Sequence, residues 1–337
     1  MPRARTRPTP VRLGWVLATL GLLALVCAAS VAFGVRAVSV SDIAAGLSGS
    51  TDTIAQAAVS KRVPRTVLAI LVGGALGLSG AVMQGVTRNP LADPGILGVT
   101  TGSSLAVVCG IAFFGLSSPV GYIWVAIAGA ALAATFVYLV GSLGRGGATP
   151  LKLALAGAAT SAALSSLISA VLLPRIDVMD SFRFWQIGGV GGAETDKTLQ
   201  VLPFLALGVL LSLASARGLN SLALGDDVAA GLGAHVGRTR LLAATGAVVL
   251  AGAATAVAGP IGFVGLAVPH VCRLLVGVDH RWQLPFSALV GAVLLVAADV
   301  VGRLVARPEE VDVGIVTALL GAPFFLWIVR RQKVRAL

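Results

Sequence analysis

Long apolar blocks, joined by short polar or glycine- and proline-bearing stretches, recur from one end of this chain to the other. Ten can be counted, at about 13–34, 64–86, 93–113, 118–142, 150–173, 198–216, 239–258, 264–277, 284–304 and 313–330. At 1.5 Å per residue, a helix of about 20 residues crosses about 30 Å of hydrocarbon. The blocks run continuously, without the strict alternation of a transmembrane barrel, so they predict helices. The third is interrupted by Gly95, Gly98 and Gly102. The eighth makes about 21 Å of helix, too short to cross alone. The pattern predicts an all-α integral membrane protein of about ten transmembrane helices.

Composition agrees. Of 337 residues, 57% are hydrophobic and 12% charged, with a mean hydropathy of +0.94. Soluble domains carry about 25% charged residues, so this chain cannot cover an ordinary water-facing surface. The net charge of +11 sits between the apolar runs, which favours a topological role over nucleic-acid binding. With the N-terminus inside, the inner face receives sixteen of the 25 Lys and Arg and four of the 14 acids. That bias predicts an even number of spans and cytoplasmic termini. Residues 1–12 form a basic cytoplasmic tail, and 13–335 a single polytopic domain. The first block is long enough to span, and Val26 precedes Cys27 where a lipoprotein cleavage site requires a small residue; it reads as an uncleaved first helix. Cys27, Cys109 and Cys272 lie in apolar runs without CxxC spacing, which argues against metal binding or a disulfide framework.

The second and seventh blocks are both rich in small residues: Gly73, Gly74, Gly77 and Gly80 in one, Gly246 and Gly252 in the other. Each leads through a proline turn, Asn89-Pro90 or Gly259-Pro260, into a short or broken segment. Counting spans makes the two run in opposite directions, so 64–173 and 239–330 read as an inverted repeat of the kind that builds transport pathways. Close helix packing by small residues accounts for the glycines equally well.

The run Arg88-Asn89-Pro90-Leu91-Ala92-Asp93-Pro94, within 62–102, resembles the FecCD-type permeases, the membrane subunits of ABC importers for iron–siderophores, haem and cobalamin. So do Phe184-Trp185-Gln186-Ile187-Gly188-Gly189, residues 222–233, 259–283 and 313–325, in collinear order over about 12–335. The resemblance implies a type II ABC importer permease fold in a bacterial cytoplasmic (inner) membrane. It also implies a second permease copy or paralogue, two cytoplasmic ATPases carrying ATP and Mg, an extracytoplasmic solute-binding protein and a metal-chelate substrate. The chain has no GxxxxGK[ST] sequence with which to bind ATP itself, and it is read as a transport subunit without catalytic residues or cofactor of its own.

Candidate sites follow by position. Gly225, Asp226, Asp227, Val228, Ala229, Gly231, Leu232 and Gly233 resemble the family's coupling segment; acids opening a short helix also complement its dipole. Arg62, Arg65 and Arg303 match the arginines that receive glutamates from the binding protein, a role suited to the bidentate guanidinium; snorkelling is the alternative. Asn89, Pro90 and Thr149 match the cytoplasmic gate, although Pro150 departs from the family's hydroxyl-rich pair. Asp299, the acid inside a span, lies four residues from Arg303, and this spacing predicts an ion pair. His270 has no second ligand at helical spacing and reads as a packing residue. Two rival functions remain open: an ion-coupled secondary transporter, with Asp299 on its path, and an intramembrane serine protease built on Gly77-Leu78-Ser79-Gly80 with His270 as base.

Overall fold

The computed structural model describes residues 7–116, 118–144 and 149–331. Each of the ten apolar blocks forms a helix: α1 (Thr9–Ala32), α3 (Ile54–Thr87), α4 (Val99–Phe114), α5 (Pro119–Ser142), α6 (Pro150–Leu172), α8 (Thr195–Ala214), α11 (Val236–Ala258), α12 (Val264–Val276), α13 (His280–Val305) and α14 (Val313–Arg331). Four short helices lie between them: α2 (Val40–Leu47), α7 (Ile176–Ile187), α9 (Ala216–Leu222) and α10 (Asp226–Gly231). Among the described residues there is no strand. Seven of the helices are long and apolar enough to cross a membrane, and α4, α12 and α14 are shorter apolar ones. The chain is a multi-pass membrane protein. The basic residues Arg3, Arg5, Arg145, Lys333 and Arg335 lie outside the described residues.

The broken third block has a local cause. The Asp93 carboxylate accepts from Gly95 N at 2.9 Å and caps a 3-10 turn, Pro94–Leu97. Gly98 then adopts φ +70° and opens α4. The short α12 likewise begins from a left-handed residue, here Phe263 at φ +67°, a conformation uncommon for side chains other than Asn or Asp. The hydrophobic pattern did not reveal α2 or the first ten residues of α3. Both are set by capping boxes, Ser39 with Asp42 and Thr53 with Gln56, whose spacing is readable in the sequence.

α3 is the central, most enclosed helix, and it runs antiparallel to α13. Gly73 meets the backbone of Gly291, Gly77 that of Ser287, and Gly80 that of Gly265 on α12. Without a strong hydrophobic drive between helices in lipid, such backbone approach supplies the packing. The contacts also exchange under a pseudo-two-fold relation. α3 packs on α11, α12 and α13, and α11 packs on α3, α4 and α5; α4 packs on α5 and α6, and α12 on α13 and α14.

The bundle has two polar ends. Arg62, Arg65, Gly191, Arg303 and Asp312 gather at one, the Arg65 end. Arg12, Arg88, Asn220, Arg273 and Asp279 gather at the other, the Asp226 end. α3 runs from the first to the second and α11 from the second to the first. α1 starts at the Asp226 end and α14 at the Arg65 end.

A Cβ at Gly291 would enter the carbonyl of Gly73, whereas Gly262 has open space around it. Gly291→Val is expected to destabilise the detergent-solubilised protein by about 1–3 kcal/mol or more. Gly262→Ala is expected to stay within about 0.5 kcal/mol. Thermal unfolding followed by circular dichroism compares the two.

Candidate functional site

At the Arg65 end a single carboxylate organises three helices. Asp299 on α13 is 2% exposed. Its Oδ1 accepts from Arg65 Nε and Nη2 at 2.9 and 2.8 Å, and its Oδ2 lies 3.0 Å from Arg303 Nη2. The Asp299–Arg303 pair predicted from spacing forms, and Arg65 of α3 joins it. Arg65 also reaches the more exposed Glu310 at 2.6 Å, so all of its donors are engaged.

Arg62 and Arg303 are placed differently from the docking role that the resemblance implies. Both are buried, at 6% and 2% exposure. Arg62 donates to the carbonyls of Val31, Ala32 and Arg36 at 2.8, 3.1 and 2.8 Å. Arg303 donates to the carbonyls of Ser30 and Phe33 and to Ser30 Oγ at 2.9, 3.2 and 2.7 Å. These carbonyls belong to the end of α1 and the turn beyond it, where the last helical C=O groups lack intrahelical partners and the dipole is negative. Ser30 Oγ in turn lies 2.6 Å from Thr66 Oγ1, which donates to Arg62 O at 2.8 Å. Arg62 and Arg303 therefore cap α1 and present no free guanidinium to an external carboxylate. The exposed cations on this rim are Arg36, Lys61 and Arg307.

At the Asp226 end, α10 is held to both long glycine-rich helices. Asp226 accepts from Arg240 of α11 at 3.0 and 2.9 Å and lies 3.3 Å from Arg88, the left-handed C-cap of α3. Gly225 turns the chain into α10 at φ +106°, where a side chain would be strained. Asp227 is exposed and Ala229 buried. Leu224, Val228 and Leu232 are 60%, 52% and 68% exposed; Val228 stands on α10, and Leu224 and Leu232 flank its two ends. Gly231 and Gly233 are exposed at the end of the same segment. Close by, Asn220 donates to Asp279 at 2.7 Å. Burial acts to raise the Asp279 carboxyl, but hydrogen bonds from Asn220 and Arg281 outweigh it and hold it below the ordinary carboxylate range.

The gate candidates are occupied locally. Asn89 Oδ1 accepts from Leu91 N at 2.9 Å, Pro90 is exposed in the same turn, and Thr149 N-caps α6 through Lys152 N at 3.3 Å. Pro150 takes the first helical position of α6, where its missing N–H costs nothing. The Trp185–Gly189 stretch ends α7: Gly189 donates to Ala258 O at 2.8 Å and Gly314 to Gly188 O at 3.0 Å, tying α7 to α11 and α14. Ser79 is fully enclosed and donates to Ala247 O at 2.6 Å, while His270 packs edge-on against Phe324. The hydroxyl and the imidazole are thus engaged apart from each other, which removes the protease reading.

The FecCD transport family model matches residues 22–331. The chain belongs to that family. The ferric enterobactin transport system permease protein FepD of Escherichia coli (strain K12) is 44% identical over 314 residues, 92% of this chain and 93% of the relative. The iron(3+)-hydroxamate import system permease protein FhuB of Bacillus subtilis (strain 168) is 47% identical over 272 residues, 81% and 71% of the two chains. A solved structure assigned to the metal-chelate type of ABC transporter, in an inward-facing conformation, superposes with a TM-score of 0.83 at 31% identity, covering 95% of this chain and 99% of that one. As a FecCD protein the chain is a transport subunit.

Replacing Asp299 by Asn would leave Arg65 and Arg303 without their shared counter-charge. The expected loss is about 3–5 kcal/mol, against about 1 kcal/mol or less for Glu310→Gln at the exposed partner. Denaturant midpoints of the two variants in one detergent test that order.

Proposed function

We propose that this chain is the permease subunit of an ATP-driven importer of an iron–siderophore or related metal chelate. Two such subunits would form the pathway, cytoplasmic ATPases would bind at the Asp226 end, and a solute-binding protein would dock at the Arg65 end. The observation that carries the reading is α10. Exposed apolar side chains, Val228 on α10 and Leu224 and Leu232 at its two ends, surround a helix pinned to α3 and α11 through Asp226. Such side chains suit a hydrophobic groove on a partner, and the Arg88–Asp226–Arg240 clamp would carry displacement of α10 into both glycine-rich helices. The exposed face of α6 carries small residues, Ser165, Ser166 and Ser169, which allow close helix approach and fit contact with the second permease.

The secondary-transporter reading has less to rest on. Asp299 is neutralised by two arginines rather than facing a path. On the outer rim, docking falls to the exposed Arg36 and Lys61, while Arg62 and Arg303 hold α1 and Arg65 is engaged with Asp299 and Glu310.

The test reconstitutes this chain with its ATPase in liposomes and measures ATP hydrolysis stimulated by binding proteins loaded with ferric siderophores, haem or cobalamin. Val228→Asp with Leu232→Asp is expected to reduce ATPase association and stimulation at least tenfold, with the permease still folded. Uptake that follows an ion gradient, with no ATPase bound, would sink the proposal. At the other end, Arg36→Glu with Lys61→Glu is expected to weaken binding-protein affinity without lowering stability, and Arg62→Ala to do the reverse. Loss of affinity in Arg62→Ala at unchanged stability would return Arg62 to a docking role.

A further inference from the structure

A cavity of about 560 Å³ opens at the Asp226 end between α1, α3, α9, α12 and α13. Three guanidinium groups line it: Arg12, Arg88 and Arg273. Asp279 is the one carboxylate among its lining residues, and it is already held by Asn220 and Arg281 at 2.7 and 3.4 Å. Arg88 turns to Asp226. Two cations are left with little.

Arg12 is 7% exposed, and its Nε is buried without a hydrogen-bond partner. Its approach to Asp279 is 3.8 Å, beyond hydrogen-bond range; otherwise it stacks over the Trp282 ring. Arg273 makes no ion pair among the described residues, and its Nη2 is buried without a partner. Its single hydrogen bond is from Nη1 to Gln84 Oε1 at 2.5 Å. Gln84 faces it oxygen-first because its amide donates to Gly265 O and Leu266 O, each at 3.3 Å. Buried cations without counter-charge are costly, and both of these line one cavity, where a bound oxyanion would supply the missing charge.

We infer that this cavity is a binding site for a phosphoryl anion, with Arg12 and Arg273 in its lining as the cations it neutralises. The anion is either free phosphate or the head group of an anionic phospholipid. The apolar rim, with Val278 exposed and Leu274 exposed one position beyond Arg273, offers acyl chains a surface, and basic pockets between transmembrane helices take phospholipid head groups. The site is independent of the transport reading.

The test uses the full chain, delipidated in neutral detergent, with thermal unfolding as readout. The additions are inorganic phosphate, phosphatidylglycerol or phosphatidylcholine. Wild type is expected to gain several degrees with phosphatidylglycerol and none with phosphatidylcholine. A matching gain with inorganic phosphate assigns the site to the free anion; a gain confined to phosphatidylglycerol assigns it to the head group. Gln84→Glu places a carboxylate of the same shape against Arg273. It also gives up the amide's two donations to Gly265 O and Leu266 O; it is expected to lose the gain, and Arg12→Gln is expected to diminish it. No gain in wild type with either phosphoryl compound, or an undiminished gain in Gln84→Glu, would overturn the proposal.

Discussion

Asp299 shared between Arg65 and Arg303 is the contact on which the Arg65 end of this bundle depends. An enclosed carboxylate with one partner would still face a large desolvation penalty; two guanidinium groups, from α3 and α13, surround it here. Once neutralised in this way, Arg303 can lie inside the protein and direct its remaining donors to the end of α1. Arg62 does the same from α3. The peripheral α1, whose sides are mostly exposed, is thus fastened at this end by hydrogen bonds to its own unsatisfied carbonyls rather than by extensive side-chain burial.

The same economy of close contact governs the middle of the bundle. α3 lies against α13 and α12 through Gly73, Gly77 and Gly80, where backbone touches backbone. α11 packs in turn on α5 and α4, with Gly252 against Ala130 of α5 and Gly246 against Ser212 of α8. At the Asp226 end, Arg88 and Arg240 from these two helices converge on Asp226. Under the proposed function, a movement of α10 would reach the most enclosed part of the molecule through these two ion pairs.

Legibility of the candidate site varied with the physics. The Asp299–Arg303 pair was readable, because i,i+4 spacing on a helix places both groups on one face whatever surrounds them. Arg65 as the third member was not, since it joins from a helix 234 residues away in sequence. Arg62 and Arg303 were assigned outward by resemblance. An arginine at the end of a span can reach solvent or turn inward to a neighbouring helix terminus, and the sequence does not distinguish these. The capping boxes that start α2 and α3 were present as Ser39 with Asp42 and Thr53 with Gln56, yet apolar periodicity alone passed over them. Cavity chemistry at the Asp226 end was invisible, because Arg12, Gln84 and Arg273 come from three separate helices.

What the sequence by itself determined is whatever depends on local length, composition and order. These are ten apolar blocks, the break near Gly98, the short α12, the all-α membrane class, and the collinear motifs that place the chain in the FecCD family. Hydrocarbon thickness and backbone hydrogen bonding leave few other structures for such blocks. What only the tertiary structure decided is where each polar group in those blocks finds its partner. Whether an arginine docks, caps or waits for an anion is set by which helix end, carboxylate or cavity lies within about 3 Å of it, and that is a property of the packed bundle.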